Sequence, residues 1–280
     1  SLVGSEMCIR DRYAFVLFFL CNFYLLEGRT VVNHDSLLGY QLSVDGEDYE
    51  VKGVAGEKNL EILEELGGNT IRTWAIDKKT LDKAHELGLK VVAGIWLEHM
   101  RHDDKYDYTD PKFIQKQRKK VESTVKKYKD HPALLAWGLG NEVELHVPEE
   151  LLETIWTETN TLAKLVKSLD GNHPVMTAVA GFDAQKIIDL KRYYPECDIL
   201  GVNAYGFAPK VGELLLNYGW EKPYMITEFG PMGPWEVDLK SDWGAAIEEA
   251  SHEKAKRYLK AYSSAMDESP RYGLGVFPVY

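Results

Sequence analysis

Two glutamates stand where an α/β chain would place its chemistry. LLAWGL, Leu134 to Leu139, is a short apolar run, and Gly140, Asn141 and Glu142 follow at its end. A run of that length suits a strand covered on both faces, as in a parallel sheet. Such a strand has no need of a carboxylate at its tip, and burying an unpaired one is costly. The pattern returns in KPYMITEFG, where Glu228 ends a second apolar run. The ends of the other apolar segments add Arg72 and Trp74 from NTIRTWA, Trp96, Glu98 and His99 from VVAGIWLEH, and Asn203 and Tyr205 from DILGVNAYG. Arg, Asn, Tyr and Trp are what a sugar site uses: donors for hydroxyls and flat apolar faces for a ring.

The elements that must position these residues alternate strictly. YQLSVDGEDYEVKGVAG reads as a β-hairpin turning at Asp45-Gly46, whose second arm runs into the first core strand. EKNLEILEELGG has helical spacing and stops at Gly67-Gly68. From there strands and helices take turns, with helices over DKKTLDKAHELG, about Pro111 to Lys129, PEELLETIWTETNTLAKLVKSLD, FDAQKIIDLKRYY, about Lys210 to Tyr218, and IEEASHEKAKRYLKAYSSAMDE. Eight strands with seven intervening helices predict a parallel sheet with right-handed crossovers, and eight such strands close a (β/α)8 TIM barrel. An open doubly wound sheet is the rival, but GVAGEKN after the first strand is not a GxGxxG phosphate loop. In a barrel, chemistry sits at the carboxyl ends of the strands. Glu142 and Glu228 then end strands four and seven, nearly opposite across the ring, where both can point at one bond.

At 280 residues and 31.9 kDa the chain fits one such barrel, which needs about 250 residues. The net charge of −11 and the lack of a Lys/Arg run argue against nucleic acid. Of three cysteines, Cys8, Cys21 and Cys197, only the last lies in the globular part, so no disulfide framework is implied. Residues 1–12, SLVGSEMCIRDR, resemble a translated adapter remnant and are set apart from fold reasoning. The segment 13–28 holds the apolar run Tyr13 to Leu26, short for a membrane span and suited to a signal-peptide core or an uncleaved anchor. Secretion, or a periplasmic or cell-surface location, is therefore expected, with membrane contact only through that anchor. The barrel is expected over residues 40–280, ending before an eighth helix.

GLGNE and ITEFG on strands four and seven resemble the signature of retaining glycoside hydrolases built on this barrel. The wording over about Tyr40 to Tyr280 (EDYEVKGV, NTIRTW, HPALLAWGLGNEVEL, DGNHPV, GVNAYG, PYMITEFG) is most similar to the catalytic barrel of family 2, the β-galactosidase, β-glucuronidase and β-mannosidase group. Family 5 and the β-1,3-glucanosyltransferases are also similar. The resemblance implies that Glu142 is the general acid/base, that Asn141 holds the sugar 2-hydroxyl, and that Glu228 is the nucleophile, with Arg72 and Tyr205 keeping it ionised and oriented. It implies cleavage of β-linked glycosides by double displacement. Two alternatives stand: a β-glucan transglycosylase with the same residues, and an inactive carbohydrate-binding barrel. Family 2 chains usually carry β-sandwich domains before the barrel, and here a hairpin takes their place.

The remaining candidates divide. Glu98 and His99 either contact substrate or shape their loop, and Trp74 and Trp96 are either sugar platforms or lid packing. Asn203 faces the substrate in this reading, and Trp235 on the loop after strand seven is a candidate sugar contact. Trp137, inside its apolar run, reads as core, and His85, His131 and His173 as structural. No His pair recurs at ligand spacing on strand one, so neither metal nor cofactor is implied, and the partner is an oligo- or polysaccharide.

Overall fold

The computed structural model describes residues 28–100, 106–230, 237–267 and 272–279. The adapter-like residues 1–12, the apolar run Tyr13 to Leu26 and Trp235 lie outside the described residues. Three short antiparallel strands come first: β1 (Thr30–Asp35), β2 (Gly39–Val44) and β3 (Glu47–Tyr49). The β2–β3 hairpin turns at Asp45-Gly46 as expected, with left-handed φ of 55° and 90° that match a type I′ turn. β1 was not anticipated, and it makes the hairpin a three-stranded sheet.

Then β4 (Gly53–Ala55), β5 (Thr70–Arg72), β6 (Lys90–Ile95), β7 (Leu134–Asn141), β8 (Val175–Ala180), β9 (Ile199–Asn203), β10 (Tyr224–Phe229) and β11 (Gly273–Pro278) form one sheet in chain order. Every neighbouring pair is parallel, and a parallel bridge from Ala55 to Val279 closes the ring. Between the strands run α1 (Leu60–Glu65), α2 (Lys78–Glu86), α3 (Pro111–Tyr128), α4 (Glu149–Leu169), α5 (Ala184–Tyr193), α6 (Val211–Asn217) and α7 (Ser251–Asp267). This is the eight-stranded TIM barrel that the alternation predicts.

Local chemistry sets the helix starts. Asp77 accepts from the Thr80 amide to begin α2, Asp183 from the Lys186 amide to begin α5, and Asp110 precedes Pro111 at the head of α3. Each helix lays an apolar stripe on the strands, as with Leu81 and Ala84 of α2, and Val121 and Val125 of α3. Inside the barrel a second apolar cluster holds Val92, Leu135, Met176, Ile199, Met225 and Phe277, joined by Leu42 and Val44 of β2. The small sheet therefore plugs one mouth. Thr30 N donates to Asn172 O, Tyr40 Oη to Glu221 O and Tyr49 Oη to Asn69 O, all in connections that lead into strands. That is the amino-terminal mouth, and the opposite one is left for chemistry. Among the described residues no helix is long and apolar enough to cross a membrane.

Candidate active site

The strands that carry the two glutamates are both irregular just before them. Along β10, Ile226 pairs with Val202 but Glu228 with Asn203, so Thr227 is an extra residue. Along β7, Gly138 pairs with Met176 and Asn141 with Ala178, three steps against two. Such bulges re-aim the side chains that follow. At the tip of β7 the chain is turned further: Gly140 has φ 76° and Glu142 φ 51°, either side of Asn141. A Cβ at Gly140 would also meet Val143 Cγ1 at 2.8 Å. Left-handed backbone costs a non-glycine residue about 1–2 kcal/mol, so the surroundings must hold Glu142 in it. In a regular strand, Asn141 and Glu142 would point to opposite faces. Here both reach one residue: Asn203 Nδ2 donates to Glu142 Oε1 at 2.8 Å and to Asn141 Oδ1 at 3.3 Å.

Glu228 collects three donors from the ends of two other strands, β5 and β9. Arg72 Nη1 donates to its Oε1 at 2.8 Å, Trp74 Nε1 to the same oxygen at 2.9 Å, and Tyr205 Oη to Oε2 at 3.1 Å. The second arm of Arg72 donates from Nη2 to Asn141 Oδ1 at 2.6 Å. The fork of one guanidinium thus ties the glutamate of strand seven to the asparagine before the glutamate of strand four, a geometry that an ammonium cannot copy. The ion pair is buried, with side-chain exposures of 5% for Arg72 and 11% for Glu228. Burial lowers the Arg72 pKa, opposed by the charge of Glu228. The Tyr205 phenol is pushed up by burial and then by Glu228, so it stays a hydroxyl donor.

Asn203 is itself fixed. Thr227 Oγ1 donates to Asn203 Oδ1 at 2.8 Å, which turns the amide nitrogen toward Asn141 and Glu142. Below this layer, Gly94 of β6 lets the chain leaving β5 pass close: a Cβ there would lie 2.3 Å from Thr73 O and 2.4 Å from the Trp74 carbonyl carbon.

Of the residues singled out in the sequence, Arg72, Trp74, Asn141, Glu142, Asn203, Tyr205 and Glu228 come together. Trp74 was read as a platform or packing, and it also donates to Glu228. Glu98 and His99 are not drawn into this network. Glu98 receives Lys120 of α3 at 3.2 Å and Trp96 Nε1 at 3.2 Å. Burial raises its carboxyl, but Lys120 and Trp96 bring it below the ordinary range. Its backbone is held too, its N donating to Gln117 Oε1 and its O accepting from Tyr108 Oη. His99 is fully buried, its ring 5.5 Å from that of Trp96. Trp137 is core as expected, with Nε1 donating to Asp170 Oδ2 at 2.7 Å. Thr227 went unnoticed because a threonine inside an apolar run reads as core; its place before Glu228 was the one signal. Among the described residues no group of three His, Cys, Asp or Glu gathers as a metal site.

The two carboxylates thus differ in surroundings: Glu228 accepts from a guanidinium, an indole and a phenol, and Glu142 accepts from the Asn203 amide.

The family model for "Glycosyl hydrolases family 2, TIM barrel domain" matches residues 50–266. No curated protein matches the sequence. Among solved structures, a β-glucuronidase of Bacteroides uniformis aligns with a TM-score of 0.66 at 18% identity, over 89% of this chain and 32% of that one. The β-glucuronidase from Ruminococcus gnavus in complex with a C6-substituted uronic isofagomine gives 0.65 at 16% identity, over 89% and 45%. A β-galacturonidase from Eisenbergiella tayi bound to glycerol gives 0.65 at 18% identity, over 89% and 46%. At these identities the likeness is one of fold. The chain spans about a third to just under half the length of these structures.

Proposed function

The chain belongs to glycosyl hydrolase family 2, whose TIM barrel domain it carries, and from that premise we propose that it cleaves β-linked glycosides with retention. The observation that carries this reading is the Arg72 fork, which joins Glu228 to Asn141 beside Glu142 at the open mouth of the barrel. Glu228 attacks the anomeric carbon while Glu142 protonates the departing oxygen, giving a covalent glycosyl-enzyme. Glu142 then takes a proton from water, which releases the sugar with its β-configuration restored. Arg72, Trp74 and Tyr205 hold one Glu228 rotamer for the attack. Asn141, its Oδ1 already taken by Arg72 and Asn203, offers its NH2 to the sugar 2-hydroxyl.

The test uses a panel of aryl β-glucosides, galactosides, mannosides, glucuronides and galacturonides. The last two belong in it because the similar structures are named as enzymes of those uronides. Glu142→Ala should still form the covalent intermediate when the leaving group needs no acid, and azide should restore turnover with a β-azide product. Glu228→Ala should form none, and any azide product should be the α-anomer. An inverted first-formed sugar from the unmutated chain, read by proton NMR, overturns both assignments.

Transglycosylation needs the same residues and differs only in whether a sugar or water intercepts the intermediate, so product analysis at high acceptor concentration separates the two. Export to the cell surface, periplasm or medium is part of the proposal and rests on the run Tyr13 to Leu26. Fractionation of an expressing cell tests it.

A further inference from the structure

Two residues beyond Glu142 lies a carboxylate that the reaction does not use. Glu144 is 6% exposed, and its Oε1 accepts from Ala180 N at 2.8 Å and from Lys186 Nζ at 2.9 Å. The same ammonium donates to Ala180 O at 3.2 Å and Gly181 O at 3.0 Å. Lys186 thus sits over the exit of β8, and its own backbone is fixed in the first turn of α5 by Asp183. From that exit, bonds run to both neighbours. Glu142 N donates to Ala178 O at 2.7 Å on one side, and Gly181 N to Asn203 O at 3.2 Å on the other. Asn203 in turn holds the Glu142 carboxyl.

We propose that the Glu144–Lys186 pair is a positioning device for Glu142, fixing the angle at which that carboxyl meets the departing oxygen. The inference rests on the reading of Glu142 as general acid. The pair acts by joining the residues after β7 to the exit of β8, the two segments between which the left-handed Glu142 backbone is suspended. That conformation is disfavoured for glutamate, so it persists only where neighbours impose it. A buried carboxylate cannot move off its cation without leaving a charge uncompensated, which makes this joint stiff.

The distinguishing readout is dependence on the leaving group. A positioning role affects only substrates that need the acid. A role in general stability affects all of them alike. The experiment measures kcat/KM of the full chain on 2,4-dinitrophenyl, 4-nitrophenyl and phenyl β-glycosides of the sugar the unmutated chain cleaves. Lys186→Met should lose about ten- to a hundredfold on the phenyl glycoside, a part of the ~10²–10⁴ that a positioned acid supplies, and little on the dinitrophenyl one. Lys186→Arg should recover most of the loss. The double variant Glu144→Gln/Lys186→Met, which buries no lone charge, should remain folded and keep the steep dependence, so the test survives if Lys186→Met does not fold. Equal losses across the three substrates overturn the proposal. Glu142→Ala is the control. If it is steep and the Lys186 variants are flat, only the ion pair's role falls. If it is flat too, or the unmutated chain cleaves none of the glycosides, the reading of Glu142 falls and this one with it.

Discussion

Trp74 Nε1 lies 2.9 Å from Oε1 of Glu228, the same oxygen that Arg72 reaches at 2.8 Å. The Arg72 guanidinium carbon is in turn 4.9 Å from the centre of the Trp74 ring. The indole therefore works twice, as a donor to the anion and as a π-face for the cation. Trp74→Phe separates the two, keeping a ring and removing the N–H. A hydrogen bond to a charged group contributes about 1.5–3 kcal/mol, so kcat/KM should fall roughly 10- to 100-fold while the melting temperature changes little. Unchanged kinetics would show that the ring alone matters.

Arg72 should tolerate no replacement. Arg72→Lys keeps the charge, but an ammonium cannot hold Glu228 and Asn141 in one planar fork, so the variant should fold and lose most activity. Arg72→Met strands the buried Glu228 charge and should destabilise by about 3–5 kcal/mol, seen as a lower urea midpoint. Full activity in Arg72→Lys would show that charge suffices without shape.

Much of this site was legible in the sequence, for a reason particular to parallel strands. Apolar runs such as LLAWGL and YMIT leave polar groups only at their tips, so Asn141, Glu142, Asn203 and Glu228 stood out at once. What stayed hidden depends on pairing between distant segments. The bulges at Thr227 and before Asn141 exist only as a mismatch of register with β9 and β8. Glu98 sits at a strand end as well, and only the packing of α3 reveals that Lys120 holds it. Nothing in the sequence ties Glu144 to Lys186, 42 residues on, and only the fold brings the two together.

The buried group Trp137–Asp170–His173 predicts an acid dependence of stability. Burial raises the Asp170 carboxyl, but hydrogen bonds from His173, Trp137 and the Asn172 amide outweigh it and hold the pKa below its ordinary 3.8. A depressed pKa stabilises the fold fully above the unfolded value and loses that contribution as pH falls through the folded one. Asp170→Asn should therefore melt lower than the parent by a constant margin near neutrality, and the margin should shrink below pH 3.8. A margin that grows on acidification would mean that the carboxyl is protonated in the fold.

Gly94→Ala is a test of the layer beneath the site. Its methyl would stand 2.3 Å from Thr73 O and 2.5 Å from Trp74 O, so the backbone of β5's exit must move. Overpacking of this kind costs about 1–3 kcal/mol, and the displaced indole should also lower kcat. The same substitution at Gly138, where the nearest atom would be 3.5 Å away, should be mild in both respects. Comparable effects at the two glycines would show that Trp74 is not held from below.

The ring of strands is not equally strong all the way round. β6 and β7 pair from Val91–Leu134 to Ile95–Leu139 with one register shift, whereas β4 has three residues and meets the final strand through the bridge between Ala55 and Val279, with Phe277 against Gly53. A ring fastened so lightly at one place behaves there like an unrolled sheet. β4 and β11 keep something of the character of edges, with backbone groups that open to water sooner than those of their neighbours. Breathing should begin at this seam, and amide exchange should be fastest along Gly53–Ala55 and the end of β11. Since β5 and Arg72 lie one strand away, the weakest part of the wall adjoins the side chain that ties Glu228 to Asn141.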